Sequence, residues 1–184
     1  MPYDSPKIVP LDPALVEATN RHLGRHVLES GRHGIHWLPY DPKQMAEPPR
    51  VRADALDLDY QTVGWGRWYV VTVDADNVVG HLSLKGGKFD RGLHRCELGM
   101  GLEHPYRQQG LGTQLMTLAI GHAKATLGID WLDLRVLSLN TPGIHLYLQH
   151  GFEEVSRIPD FCRIDGQAAD DLFMSIWVGE PIGD

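Results

Sequence analysis

The stretch Arg107-Gln108-Gln109-Gly110-Leu111-Gly112-Thr113 decides how this chain folds, because it lies between a strand-like run, Cys96 to Leu102, and a strongly helical one, Leu111 to Leu127. A strand, a glycine loop and a helix in that order suggest an anion cradle. The first N–H groups of a helix have no intrahelical acceptor and carry the positive end of the helix dipole, so they can hold phosphate oxygens through backbone alone. Gly110 and Gly112 remove Cβ atoms where a ligand would approach, and Arg107 adds a fork-shaped cation at the entrance. The spacing fits a pyrophosphate. Two commoner phosphate loops are absent: there is no G-x-x-x-x-G-K-[ST], and no G-x-G-x-x-G follows a strand with an acidic residue about twenty positions on. Read alone, the same residues also suit a tight strand-to-helix connection.

Downstream, Trp131 to Leu137 alternates and is rich in strand formers, and Asn140 opens the run Asn140-Thr141-Pro142-Gly143-Ile144-His145-Leu146-Tyr147. Asn140 is a natural N-cap, Pro142 is tolerated in a first turn, and Gly151 stops the helix before a strand from Phe152. The three blocks Glu97-Leu98-Gly99, Arg107-x-x-Gly110-x-Gly112, and Asn140 with Tyr147 and Gly151-Phe152 beyond it resemble the GNAT superfamily of acyl-CoA-dependent N-acetyltransferases. The resemblance covers roughly Val70 to Val178.

That resemblance implies an α/β (α+β) fold: a single mixed, mostly antiparallel sheet flanked by helices, with a helical N-terminal segment. It implies acetyl-CoA as acyl-donor cosubstrate, its pyrophosphate over Arg107, Gln108, Gln109, Gly110, Leu111, Gly112 and Thr113. Its pantetheine arm would pair with the bent strand at Gly101 and Leu102, and Asn140 and Tyr147 would lie near the thioester. The chain departs from the family in having Gln108 and Gln109 where glycine and a basic residue are frequent, and Gly143 where alanine is common.

At 184 residues the chain suits one domain, with residues 1–66 as a helical acceptor-side segment and 67–184 as the acyl-CoA-binding core. Acidic residues outnumber basic ones by 24 to 17, which disfavours a nucleic-acid partner and leaves room for a cationic substrate. The N-terminus lacks a signal-peptide pattern and no apolar run reaches membrane-spanning length, so no membrane and a cytoplasmic location are expected; a homodimer stays open. Pro13 to Ser30 reads as a helix capped by Asp12, and Val51 to Tyr60 as a second. Trp68 to Val73 and Val78 to Leu84 read as a hairpin around Asp74-Ala75-Asp76-Asn77, and Phe152 to Arg157 and Leu172 to Val178 as late strands. Acceptor specificity is expected from His33 to Pro49 and Ile158 to Gln167. In the central helix, Leu111, Leu115, Leu118 and His122 form one stripe and Met116, Ile120, Ala123 and Leu127 another, both read as core.

Acetyl transfer to an amine needs a neutral amine, a polarised carbonyl and a proton for the departing thiolate. Glu97 sits mid-strand, where a carboxylate is uncommon unless paired or facing a wet cleft, so it is the candidate base or relay, with a structural arginine pair as the plain alternative. Glu103 is the nearby substitute. Tyr147, by analogy with the family, is the candidate acid, or else a ring packed under the coenzyme. Backbone N–H groups near Gly101 and Leu102 would polarise the carbonyl. A ping-pong route through Cys96 or Cys162 and a metal site built on His22, His26, His33 and His36 are the rival chemistries, and no metal is expected. The expected acceptor is a primary amine of a small molecule or peptide; a non-catalytic acyl-CoA-binding module is the other reading.

Overall fold

A computed structural model describes residues 5–74 and 76–179. Ala75, in the expected hairpin turn, and the two chain ends lie outside the described residues. Seven strands form one sheet in the order β1-β2-β3-β4-β5-β7-β6. These are β1 (Lys7–Pro10), β2 (Gly66–Asp74), β3 (Asn77–Gly86), β4 (Arg95–Leu102), β5 (Trp131–Leu137), β6 (Glu153–Ile164) and β7 (Gln167–Trp177), with helices α1 (Val16–Val27), α2 (Leu111–Ala125) and α3 (Thr141–Gln149). Every neighbouring pair is antiparallel except β4 and β5. The expected mixed, mostly antiparallel sheet with flanking helices is what forms.

Strand alternation sorts β4 into two faces. Cys96, Leu98 and Leu102 pack into the main core with Leu111, Leu115 and Met116 of α2. Each large aliphatic side chain buried there is worth about 2 kcal/mol. Glu97, Gly99 and Gly101 take the opposite face, where a Cβ on Gly101 would stand 2.2 Å from Nε2 of His26 in α1. Helix α1 can therefore sit on that face only because the strand is bare beneath it.

Asp12 caps the first helical turn as expected, accepting from the Ala14 N–H at 2.8 Å, and Gly31 at φ +85° turns the chain after it. The expected N-terminal helix is α1, and the short strand β1 ahead of it pairs with β2. Three expectations need correction. Val51 to Tyr60 is no helix beyond a single turn of 3-10 helix at Ala53–Ala55; Val51 and Ala55 are buried, so tertiary packing of an irregular chain overrides the pattern. Leu127 lies outside the core, 93% exposed beyond the end of α2. His122 is likewise no apolar position: its ring holds the hydroxyls of Tyr60 (2.9 Å) and Tyr69 (2.8 Å).

Candidate functional site

Strands β4 and β5 pair only at Arg95↔Trp131, Cys96↔Leu132 and Glu97↔Asp133. Beyond Glu97 they part, β5 staying with β7 to its end while β4 keeps β3 alone. The edge of β4 from Leu98 to Leu102 therefore faces a slot with no strand partner among the described residues, and it leads to the glycine loop. In that loop Gly110 adopts φ +79° as the residue before α2, and no side chain caps the helix. The N–H groups of residues 108–113 donate to no acceptor among the described residues. Such a row is a cradle for anionic oxygens. Gln108 holds φ +58°, a left-handed conformation that glycine would adopt at less cost.

Arg107 does not face the cradle. Its Nε–H donates to the Leu102 carbonyl at 2.8 Å and its Nη2 to Glu29 at 2.7 Å, with the guanidinium 5.0 Å from the Trp37 ring centre. It ties the end of β4 to the loop after α1. Gln109 donates to the Pro105 carbonyl at 2.7 Å, and Leu111 is buried in the core.

Across the slot, Asn140 caps α3 by accepting from the Gly143 N–H at 3.2 Å. A Cβ on Gly143 would stand 2.7 Å from Asn140 Nδ2, so glycine there makes room for the cap. The Tyr147 ring lies 6.0 Å from that of Phe152, and its hydroxyl has no hydrogen bond among the described residues. Burial pushes its phenol up to about 12, so it stays protonated at neutral pH.

Where β4 and β5 part, Glu97 faces a cavity of about 600 Å³. Its carboxylate makes no hydrogen bond or ion pair among the described residues, unlike its neighbour Asp133, which Arg95 grips with two bonds of 2.6 and 2.7 Å. The structural arginine pair belongs to Asp133. Glu103, the nearby substitute, is already engaged. Burial opposes its charge, but His22 (2.8 Å) and Arg25 (3.0 Å) outweigh that and hold its carboxyl below the ordinary range.

The Acetyltransferase (GNAT) family model matches residues 33–152. The chain belongs to the GNAT acetyltransferase family. It is 27% identical over 106 residues to the L-amino acid N-acetyltransferase AaaT of Escherichia coli (strain K12), a match covering 58% of this chain and 65% of that protein. The fold is also that of a GNAT-family acetyltransferase from Streptococcus pneumoniae, at TM-score 0.78 and 20% identity over 95% of this chain and 100% of the other. YncA of Salmonella typhimurium, solved with its cofactor acetyl-CoA, aligns at TM-score 0.72 and 19% identity over 98% of both chains. The Vibrio cholerae spermidine N-acetyltransferase, in complex with CoA and spermine, gives TM-score 0.62 and 17% identity over 94% and 95%.

Set on this GNAT sheet, the N-terminal histidines do something the sequence did not reveal. His22 in α1 lies between Glu103 and His81 of β3, its Nδ1 2.8 Å from the carboxylate and its Nε2 2.9 Å from His81 Nδ1. A carboxylate only accepts, so the His22 Nδ1–H donates to Glu103. His26 stacks on Trp37 at 4.8 Å, and burial, then His22 and Arg107, lower its pKa to about 3. Burial, then His26, His22 and Lys85, likewise hold His81 well below its ordinary value. Among the described residues no group of three or more His, Cys, Asp or Glu is arranged to hold a metal ion. Burial, then Asp133, push the Cys96 thiol up to about 12, and burial raises Cys162, so neither supplies a ready thiolate.

Proposed function

We propose that this GNAT protein transfers the acetyl group of acetyl-CoA directly to a primary amine. The observation that carries the reading is the slot: a strand edge released at Glu97, ending at a row of N–H groups without acceptors, with Glu97 on one side and Tyr147 in the helix across it. Residues 108–113 would hold the pyrophosphate, and the free β4 edge that ends at Leu102 the pantetheine amides. Asn140, through its cap, fixes the start of the helix that carries Tyr147. Arg107 acts by positioning, because it braces the carbonyl at the end of β4. When bound, acetyl-CoA supplies an activated acyl group with a thiolate as leaving group.

Glu97 takes, directly or through water, the proton that the amine loses as its nitrogen bonds to the acetyl carbon. Tyr147 donates a hydrogen bond, and then a proton, to the sulfur that leaves as the carbon–sulfur bond breaks. Backbone N–H groups of the free β4 edge polarise the carbonyl. A single-domain protein, acting in the cytoplasm as a homodimer, completes the reading, with light scattering as the check on assembly. The test is thioester consumption with an amine panel: binding of acetyl-CoA without turnover of any amine would make the protein a coenzyme-binding module instead.

A further inference from the structure

The charge of the cavity beside Glu97 runs against that of the whole chain. The chain carries net −7, yet the cavity is lined by Arg50, Arg52, Lys85, Lys88, Arg95 and Arg135, with only Glu97 and Asp133 as carboxylates. Three of those cations are already answered: Arg95 by Asp133, Arg135 by Asp171 and Arg52 by Asp54. Arg50, Lys85 and Lys88 have no ion pair among the described residues.

Lys85 is the cross-strand partner of Glu97, so the two side chains leave the same face of the sheet about 5 Å apart at Cβ. They do not pair with each other. The lysine ammonium leans toward the Trp68 ring, 5.9 Å from its centre, and leaves the carboxylate open. One free anion and one free cation stand side by side in a cavity walled by Trp65, Trp68 and Phe173, next to the point where the slot opens. A ligand with an ammonium and an anionic group a few ångströms apart satisfies both, with an apolar part for the rings. A polyamine would satisfy Glu97 and set its remaining charges against the cations.

Building on the acetyl-transfer reading above, we infer that the acceptor is a small amine that also carries an anionic group, its amine at Glu97 and its anion held by Lys85 with Arg50 and Lys88. The acidic balance of the whole chain, which pointed to a cationic partner, does not describe this surface.

The experiment is a thioester-consumption panel in which each L-α-amino acid is paired with its carboxamide, with spermidine and aminoalkylphosphonates added. For the side chain turned over best, kcat/KM should favour the carboxylate over the carboxamide by about 100-fold. Lys85→Gln should raise KM about tenfold more for the carboxylate than for the carboxamide. Turnover of the phosphonates would show that any anion serves, and their failure that the site reads a carboxylate. Equal or better turnover of carboxamides or spermidine overturns the inference and leaves acetyl transfer intact. Titration of the same ligands into the protein without coenzyme, followed by tryptophan fluorescence from Trp65 and Trp68, reads the site without chemistry. If no amine is acetylated, carboxylate-selective binding that Lys85→Gln weakens would still uphold the anion site while transfer falls. Binding without such selectivity, or no binding, would overturn it.

Discussion

The two ends of the split between β4 and β5 are made of different material. At the proposed donor end the groups offered to a ligand are main-chain: the free edge of β4 and the N–H groups of residues 108–113. At the proposed acceptor end they are side chains from separated stretches, Arg50 and Trp65 from the irregular N-terminal half, Lys85 from β3, Glu97 from β4 and Phe173 from β7. Backbone groups survive sequence change provided the turn is kept, so the donor end can be common to a family. The acceptor end can be rewritten one side chain at a time.

If the donor end is backbone, a charge placed there should do the most damage. Gly112→Asp is expected to weaken acetyl-CoA binding about 100-fold or more by calorimetry while thermal unfolding stays near that of the parent. Unchanged affinity in a folded variant would remove the pyrophosphate from this loop. At the acceptor end the largest single effect should come from Glu97→Gln, with kcat/KM about 100-fold lower near neutral pH and partly restored as rising pH supplies neutral amine. Parallel pH profiles would take Glu97 out of the chemistry.

Tyr147→Phe tells the two ends apart. A loss of about tenfold in kcat at every pH below the phenol's value of about 12, with coenzyme affinity kept, makes it an acid; the reverse pattern makes it donor-end packing. The histidines under the acceptor face predict acid lability. His26 is neutral in the folded protein down to about 3, whereas the unfolded ring takes up its proton near 6.5. Stability is therefore whole above the upper value and drains as pH falls through that window, by about 1.4 kcal/mol per unit for this ring, with His81 adding in the same sense. Differential scanning calorimetry of His26→Gln should show a shallower acid limb. The smallest effect belongs to Gln108→Gly, about 0.5 kcal/mol of added stability from relief of the left-handed turn, read by urea unfolding.

The same division explains what the sequence disclosed. The elements that frame the proposed donor end were legible because their signals are local: a glycine loop ahead of α2, and an N-cap, proline and terminal glycine framing α3. Glu97 stood out as a charge in the middle of an apolar strand. Arg107 was legible as a cation but not in its direction, since Glu29, its partner, is 78 residues away. The link from Glu103 through His22 to His81 spans separations of 81 and 59 residues, and the cavity's cations converge from as many distances, so no local pattern announces them. β1 escaped because a four-residue edge strand carries almost no periodicity.

At the far border of the sheet, β6 pairs with β7 on one side and with no strand on the other among the described residues. Val155, Ile158 and Phe161 stand exposed along it, an invitation to strand-on-strand growth into larger aggregates. Two devices stand in the way. The register slips between Ile158 and Cys162, where Asp160 turns to φ +48° and breaks the straight run of donors and acceptors. Around the apolar residues, Arg157 joins Glu154 and Asp170, and Arg163 joins Asp160, surface pairs that add little to folding. Their worth is colloidal: they make the border of the sheet a poor template, and concentrated salt, which screens them, is the condition under which this protein is expected to leave solution.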